Sequence, residues 1–217
     1  MFKKLIIAAV LSGTASAFAA TNLVIDGSFE SAVLPVGDYG MYAGSDLYGW
    51  TADTGAIEVR RDIVGTAEDG DYFVELDSNS NSIMSQPITT VAGQSYTLSF
   101  WYSNRPASLV YNSVFPGGVA PASTNGLTFD VGAGAVAVPA LAANTTPDNL
   151  WTLYATTFVA TGPTTTLTFA ATGTDDSWGS SLDNIVVTTS AVPEPATLAM
   201  MGAALVGLLG LGRRRMR

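Results

Sequence analysis

Ser95-Tyr-Thr-Leu-Ser-Phe-Trp-Tyr102 is the stretch of sequence that decides the fold, because its bulky apolar side chains recur at every second residue. One face of this stretch carries Tyr96, Leu98, Phe100 and Tyr102. The opposite face carries Thr97, Ser99 and Trp101. A period of two is typical of a β-strand that buries one face, so the sequence predicts a core strand here.

Shorter segments of the same kind lie on both sides of this strand. They are predicted at residues 22–25, 56–60, 72–76, 82–86, 126–131, 151–159, 164–171 and 182–188. Gly, Pro, Asn and Asp residues separate them, and no segment of the body combines a helical period with helix caps. The pattern therefore predicts one all-β domain over residues 20–190, folded as an antiparallel jelly-roll sandwich.

Two residue types are absent, and their absence limits the chemistry. The chain has no cysteine, which excludes disulfides, thiolate catalysis and zinc–thiolate sites. It also has no histidine, which removes the commonest general base, the commonest transition-metal ligand and the Ser-His-Asp mechanism. We therefore predict no catalytic residues and no enzymatic activity.

The charge of the predicted domain is strongly negative. Six of the nine basic residues lie in the two terminal segments, which leaves Arg60, Arg61 and Arg105 in the body. All 18 acidic residues except Glu194 also lie in the body, so 17 negative charges face 3 positive ones, a net charge of −14. Such a domain repels nucleic acid, and its oxygen ligands suit calcium. The alternative is that the acidity only keeps an exported protein soluble.

The N-terminal segment has the pattern of a secretory signal peptide. Lys3 and Lys4 precede the apolar run Leu5–Leu11, and Ala17-Phe18-Ala19 provides a small-residue cleavage site. We expect a signal-peptide helix over residues 1–19 and a mature chain that begins near Ala20. The protein is then exported through the inner membrane.

The C-terminal segment, residues 191–217, has three parts. Pro193, Glu194 and Pro195 come first, an apolar run of about 17 residues follows, and Arg213, Arg214 and Arg215 stand near the end. A run of this length predicts a transmembrane helix, and the arginines keep its end in the cytoplasm. An ordinary tail anchor is one interpretation.

The same three parts resemble the PEP-CTERM sorting signal of Gram-negative bacteria. That resemblance implies an exosortase-type membrane protease as a partner, with cleavage near Pro193–Pro195. Before this processing the C-terminal helix would hold the protein in the membrane. The implied destination is the cell envelope, the cell surface or the extracellular matrix of a Gram-negative bacterium.

The body itself resembles a family through several motifs in a fixed order. They are Asn22-Leu-Val-Ile-Asp-Gly-Ser-Phe-Glu30, Gly49-Trp50, Asp69-Gly-Asp-Tyr-Phe-Val-Glu-Leu-Asp77, Gly93–Tyr102 and Ser181-Leu-Asp-Asn-Ile-Val-Val187. In this order they resemble the choice-of-anchor C and DUF642-like group of galactose-binding-like jelly rolls, relatives of bacterial carbohydrate-binding modules. Asp26 stands where the group usually has Asn.

The resemblance implies one structural calcium ion between the opening segment and the last strand. Its ligands would be Glu30, the backbone carbonyl of Ser28 and Asp183, with Asp69 or Asp71 from the neighbouring turn. Calcium prefers several oxygen ligands, and these residues supply them. The alternative is that Glu30 and Asp183 accept backbone hydrogen bonds at strand ends.

Sugar binding combines an aromatic platform with polar groups that read hydroxyls. We expect the ligand-binding residues to be Trp178, Arg105, Tyr39 and Tyr42, which lie in polar turns and loops of the sequence. Trp178 has an alternative role as a lid over the end of the core. Glu58 and Glu75 are expected on the solvent faces of their strands.

These observations favour an exported, non-enzymatic protein of the envelope or matrix that binds or organises extracellular polysaccharide. One alternative is a purely structural surface or biofilm protein without a glycan site. Another is a glycan hydrolase that uses two carboxylates, since such enzymes need a pair of Asp or Glu side chains at the scissile bond.

Overall fold

Ten β-strands form the part of the chain that the computed structural model describes, residues 21–106 and 125–190. They are β1 Asp38–Gly44, β2 Thr51–Arg61, β3 Phe73–Glu75, β4 Ile83–Thr89, β5 Ser95–Ser103, β6 Asn125–Asp130, β7 Val136–Ala137, β8 Thr152–Val159, β9 Thr164–Gly173 and β10 Ser181–Thr189. No helix in these described ranges is long and apolar enough to cross a membrane. The predicted signal-peptide helix and transmembrane helix lie outside the described residues.

All strand pairs are antiparallel, and β2 joins the two halves of the sheet. The strands follow the order β7-β6-β9-β4-β2-β3-β10-β5-β8, while β1 pairs with β2 outside this path. The first residues of β2 pair with β4, and its last residues pair with β3 and β1. Between them Gly55 has a φ of 65°, where an added Cβ would overlap with Ser82, so a glycine permits the bend.

The core lies between these two halves and confirms the predicted sandwich. Phe100 on β5 contacts Phe169 on β9, with ring centroids 5.0 Å apart, and Phe129 on β6, at 6.0 Å. In the order of the sheet β5 is far from both β9 and β6, so its side chains meet theirs face to face across the core. The predicted inner face of β5, Tyr96 to Tyr102, is buried at every second residue.

The opening segment differs from the prediction, because residues 22–25 do not form a strand. Leu23 donates one backbone hydrogen bond to Val187, and the Asn22 side chain continues the pairing by accepting from the Val187 amide at 2.9 Å. Gly27 lies so close to Ile185 that a Cβ would overlap with the Ile185 carbonyl. Side-chain hydrogen bonds and a close glycine contact therefore attach this segment to β10.

Replacement of Phe100 by alanine tests whether the two halves depend on this contact. We expect Phe100→Ala to lower the free energy of unfolding of the full chain by about 3–5 kcal/mol, because the buried ring leaves a cavity between the halves. Urea denaturation measures the change. Leu153→Ala is the control, since Leu153 is about half exposed and its truncation is expected to cost less than about 0.5 kcal/mol. Equal losses in both variants would contradict the assignment of Phe100 to the core.

Candidate functional site

A cleft of about 350 Å³ lies beside the outer part of β2. Its lining includes Tyr39, Met41, Glu58, Arg60, Arg105 and Ser177. The strand register explains the grouping, because Tyr39 of β1 pairs with Arg60 of β2 and Met41 pairs with Glu58. Side chains at every second residue point to the same face of a sheet, so these four reach one side together.

A buried network of charges forms the floor of this cleft. Glu75 on β3 lies directly opposite Glu58 on β2, an arrangement of like charges that needs compensation. Arg60 supplies it, because its Nε donates to Glu58 at 2.7 Å and its Nη2 forms an ion pair with Glu75. Arg105, just beyond β5, donates to Glu75 at 2.8 Å, and the Gly179 amide donates to it at 2.6 Å.

Burial shifts the pKa values of two members of this network, Glu75 and Arg105. Glu75 is fully buried, and its burial raises its pKa to about 7 while the charges of Arg60 and Arg105 oppose the rise. Burial also lowers the pKa of Arg105, an effect that the Glu75 carboxylate opposes. The carboxylate therefore depends on the two arginines for its charge at neutral pH.

Arg105 also connects the network to the aromatic side chain of Trp178. The guanidinium carbon lies 4.4 Å from the Trp178 ring centroid, within the range of a cation–π interaction. Arg105 Nη1 further donates to the Ser177 carbonyl at 3.1 Å. The turn of residues 177–179, which precedes β10, is thereby fixed against the charge network, and the half-buried Trp178 covers the arginine.

The structure brings together three of the four predicted ligand-binding residues. Tyr39 and Arg105 line the cleft, and Trp178 packs on Arg105. Tyr42 does not line it, because strand alternation turns it to the other face, where it packs against the core. The predictions for Glu58 and Glu75 are wrong: both are buried, because Arg60, Arg105 and the turn before β10 cover them. The spacing Glu58-Val-Arg60 was a usable signal, since residues i and i+2 share a face.

The residues expected to bind calcium meet at the turn of residues 68–72. Glu30 accepts hydrogen bonds from the Asp71 and Tyr72 amides at 2.8 and 3.0 Å. The Ser28 hydroxyl donates to Asp69 at 2.7 Å, and Asp71 forms an ion pair with Arg61 at 2.7 Å. The turn therefore connects the opening segment to its neighbours through N–H and O–H donors.

Asp183 contacts the same turn from a bulge in β10. Its Oδ2 accepts from the Glu68 and Asp69 amides at 2.7 and 3.1 Å, and its Oδ1 accepts from the Asn184 amide at 2.6 Å. Burial raises the pKa of Asp183 to about 7, and these amides oppose the rise. Asn184, with a φ of 46°, forms the bulge that turns the carboxylate toward residues 68 and 69.

In this arrangement protein donors bind both oxygens of Asp183 and one oxygen each of Glu30, Asp69 and Asp71. Within residues 21–106 and 125–190, no group of three or more acidic side chains could hold a metal ion. A calcium ion at this turn would compete with the amide donors for Asp183, and the second carboxylate oxygens of Glu30, Asp69 and Asp71 and the Ser28 carbonyl are its other potential ligands. Calcium binding stays a prediction of the resemblance.

Replacement of Asp183 by alanine tests both the hydrogen bonds and the cation. We expect Asp183→Ala to lower the free energy of unfolding by at least about 2 kcal/mol, because three amides lose a buried acceptor. Melts of the full chain in a chelator and in calcium separate the two roles. A calcium-dependent rise in the wild-type melting temperature that the variant lacks would establish the cation. Equal wild-type melts in both buffers would contradict calcium binding.

Replacement of Glu75 by glutamine tests the charge network. We expect Glu75→Gln to lower the free energy of unfolding by about 3 kcal/mol or more, because Arg60 and Arg105 lose the buried charge that compensates them. Asp53→Asn is the matched control, since it removes one charge at an exposed position of β2. Thermal or urea denaturation measures both. A loss in Glu75→Gln no larger than in the control would show that the network contributes no stability.

Comparison with solved structures finds similar folds at low sequence identity. A family 61 carbohydrate-binding module in complex with β-1,4-galactotriose is 16% identical, with a TM-score of 0.48, and the match covers 79% of this chain and 100% of that one. A family 16 carbohydrate-binding module is 16% identical with a TM-score of 0.43, and the match covers 77% of this chain and 99% of that one. A family 35 carbohydrate-binding module from Paenibacillus barcinonensis is 18% identical with a TM-score of 0.41, and the match covers 71% of this chain and 100% of that one. No curated protein sequence matches the chain.

Two family models match the sequence, and both resemblances are thereby confirmed. The PEP-CTERM protein-sorting motif covers residues 191–215, and it indicates a secreted, exosortase-processed protein that associates with the envelope. The model described as "Protein of unknown function (DUF642)" covers residues 22–188, which is most of the chain. The chain therefore belongs to the DUF642 family.

Proposed function

We propose that this exported protein is a non-enzymatic glycan-binding protein that holds extracellular polysaccharide in the cleft beside β2. The observation that carries the proposal is the composition of the cleft. It places the half-exposed ring of Tyr39 next to Glu58, Arg60 and Arg105. An aromatic surface beside fixed hydrogen-bonding groups is the combination that a sugar ring with its hydroxyls requires.

The size and the rigidity of the cleft support the same role. Its volume of about 350 Å³ is within the range of small-ligand sites and suits one or two sugar units of a longer chain. Arg60 is almost completely buried and bound to two carboxylates, so its position is fixed before a ligand arrives. Preorganised groups lose little conformational entropy on binding, which favours affinity for a flexible polymer.

The acidic residues of the cleft favour binding over hydrolysis. Among the described residues that line it, Glu58 is the one carboxylate, whereas glycoside hydrolysis usually needs two that flank the bond. Glu58 is also held by Arg60, and Glu75 lies below it in ion pairs with both arginines. These contacts give the carboxylates a structural role in shaping the cleft.

The sorting motif gives the setting in which such binding is useful. A protein delivered to the envelope by exosortase processing meets the polysaccharides of the cell surface and matrix. In this proposal the β-sandwich holds such a polymer, and the C-terminal segment determines where it is held. The exosortase-type protease and the polysaccharide are then its two partners.

Truncation of the exposed aromatic ring tests the proposal. The full chain, purified in detergent, is assayed by affinity electrophoresis against a mannan, a galactan, a β-glucan and an acidic exopolysaccharide. We expect Tyr39→Ala to weaken binding to the retained polymer about tenfold, or about 1.4 kcal/mol, because the sugar loses its stacking surface. Tyr48→Ala is the matched control, since Tyr48 is exposed and does not line the cleft.

Three results would contradict the proposal. Failure of the wild-type protein to retain any polymer would favour a purely structural surface protein. Shortened products would favour the hydrolase alternative, and equal loss in Tyr39→Ala and Tyr48→Ala would move the binding site away from this cleft.

A further inference from the structure

We propose that the cleft selects uncharged glycans and rejects glycans that carry carboxylates. The inference rests on the proposed function and adds the chemical class of its ligand. It follows from the hydrogen-bonding groups that the cleft presents and from the balance of charge around them.

The cleft presents both donors and an acceptor. Arg60 Nη1 and Arg105 Nε are buried donors without a hydrogen-bond acceptor among the described residues, and both side chains line the cleft. Glu58 lines it too, and an ionised carboxylate only accepts. A sugar hydroxyl donates and accepts, so it can satisfy the arginines and Glu58 at once. A carboxylate on the ligand only accepts, so it satisfies the arginines and is repelled by Glu58.

The local charge offers no excess to attract an anion. The two positive charges of Arg60 and Arg105 already face the two negative charges of Glu58 and Glu75. Asp77 adds another carboxylate beside the network, where it accepts from the Trp178 amide at 3.3 Å. A ligand carboxylate would therefore enter a region whose guanidinium charges are already compensated.

The charge of the whole domain acts in the same direction. Between the terminal segments, 17 acidic residues face 3 arginines, a net charge of −14. A field of this sign lowers the local concentration of a polyanion, and the effect weakens as salt shortens the screening length. An uncharged polymer is not affected by it. Contact and long-range electrostatics thus discriminate against the same class of glycan.

One polymer in two forms tests the inference. The neutral polymer that the wild type retains most strongly in the panel of mannan, galactan and β-glucan is compared with the same polymer after oxidation of its C6 hydroxyls to carboxylates. The measurement is made at pH 8, above the pKa of about 7 of Glu75, so that the Glu75 carboxylate is ionised. We expect the oxidised form to bind the wild-type full chain at least about tenfold more weakly.

The variant Glu58→Gln removes the negative charge that repels the anion and keeps a side-chain oxygen that accepts hydrogen bonds. We expect it to reduce the preference for the neutral polymer at least about threefold, because the cleft then carries one uncompensated positive charge. Asp53→Asn is the matched control: it removes one charge from an exposed position outside the cleft and is expected to change the preference little. Thermal melts show whether each variant is folded.

The following outcomes would overturn the proposed selectivity for uncharged glycans. Equal or tighter binding of the oxidised polymer by the wild type would overturn the selectivity and leave the glycan-binding proposal in place. The same preference in folded Glu58→Gln as in the wild type would also overturn it. If Glu58→Gln does not fold, the wild-type ratio alone decides. Binding of neither form would overturn the proposed function together with this inference.

Discussion

The burial of Glu75 is the constraint on which the candidate site depends. A carboxylate without contact with water is costly unless opposite charges and amides surround it. Here the compensation comes from Arg60 on β2, from Arg105 beyond β5 and from the Gly179 amide before β10. The Glu75 side chain therefore connects three segments that are separate in the sequence. The cleft exists because these segments cannot move apart without leaving a buried charge unpaired.

The core was predictable from sequence, and the charge network was not. Alternation from Tyr96 to Tyr102 identifies the buried face of β5, because apolar side chains on one face of a strand need a partner surface. Alternation also places Glu58 and Arg60 on one face of β2, but it does not predict whether another segment of the chain covers that face. The cover comes from Arg105 and from the turn around Trp178, which lies more than 100 residues later in the chain. Contacts of this range carry no local pattern.

The opening motif, Asn22–Glu30, also shows that sequence predicts which residues lie close together but not their individual contacts. The resemblance predicts a calcium site formed by Glu30, the turn of residues 68–72 and Asp183, and in the structure both carboxylates contact that turn. The resemblance does not specify which hydrogen-bond donor each carboxylate oxygen accepts from. In the structure, backbone amides converge on Glu30 and Asp183, since the turn and the bulge at Asn184 direct N–H groups toward them. The amide donors of Glu30 and Asp183 are thus known from the structure, while calcium binding at this turn stays a prediction.

The three arginines of the body show how the protein uses its few positive charges. Arg60 and Arg105 compensate Glu58 and Glu75, and Arg61 pairs with Asp71 while its guanidinium lies 5.3 Å from the Tyr72 ring. Each one is engaged with a carboxylate of the domain, so none adds to an attractive field for a polyanion. In the proposed function, recognition of a glycan then depends on the aromatic surface and on hydrogen bonds at short range. Such forces suit an uncharged polymer, because they require contact and depend little on salt.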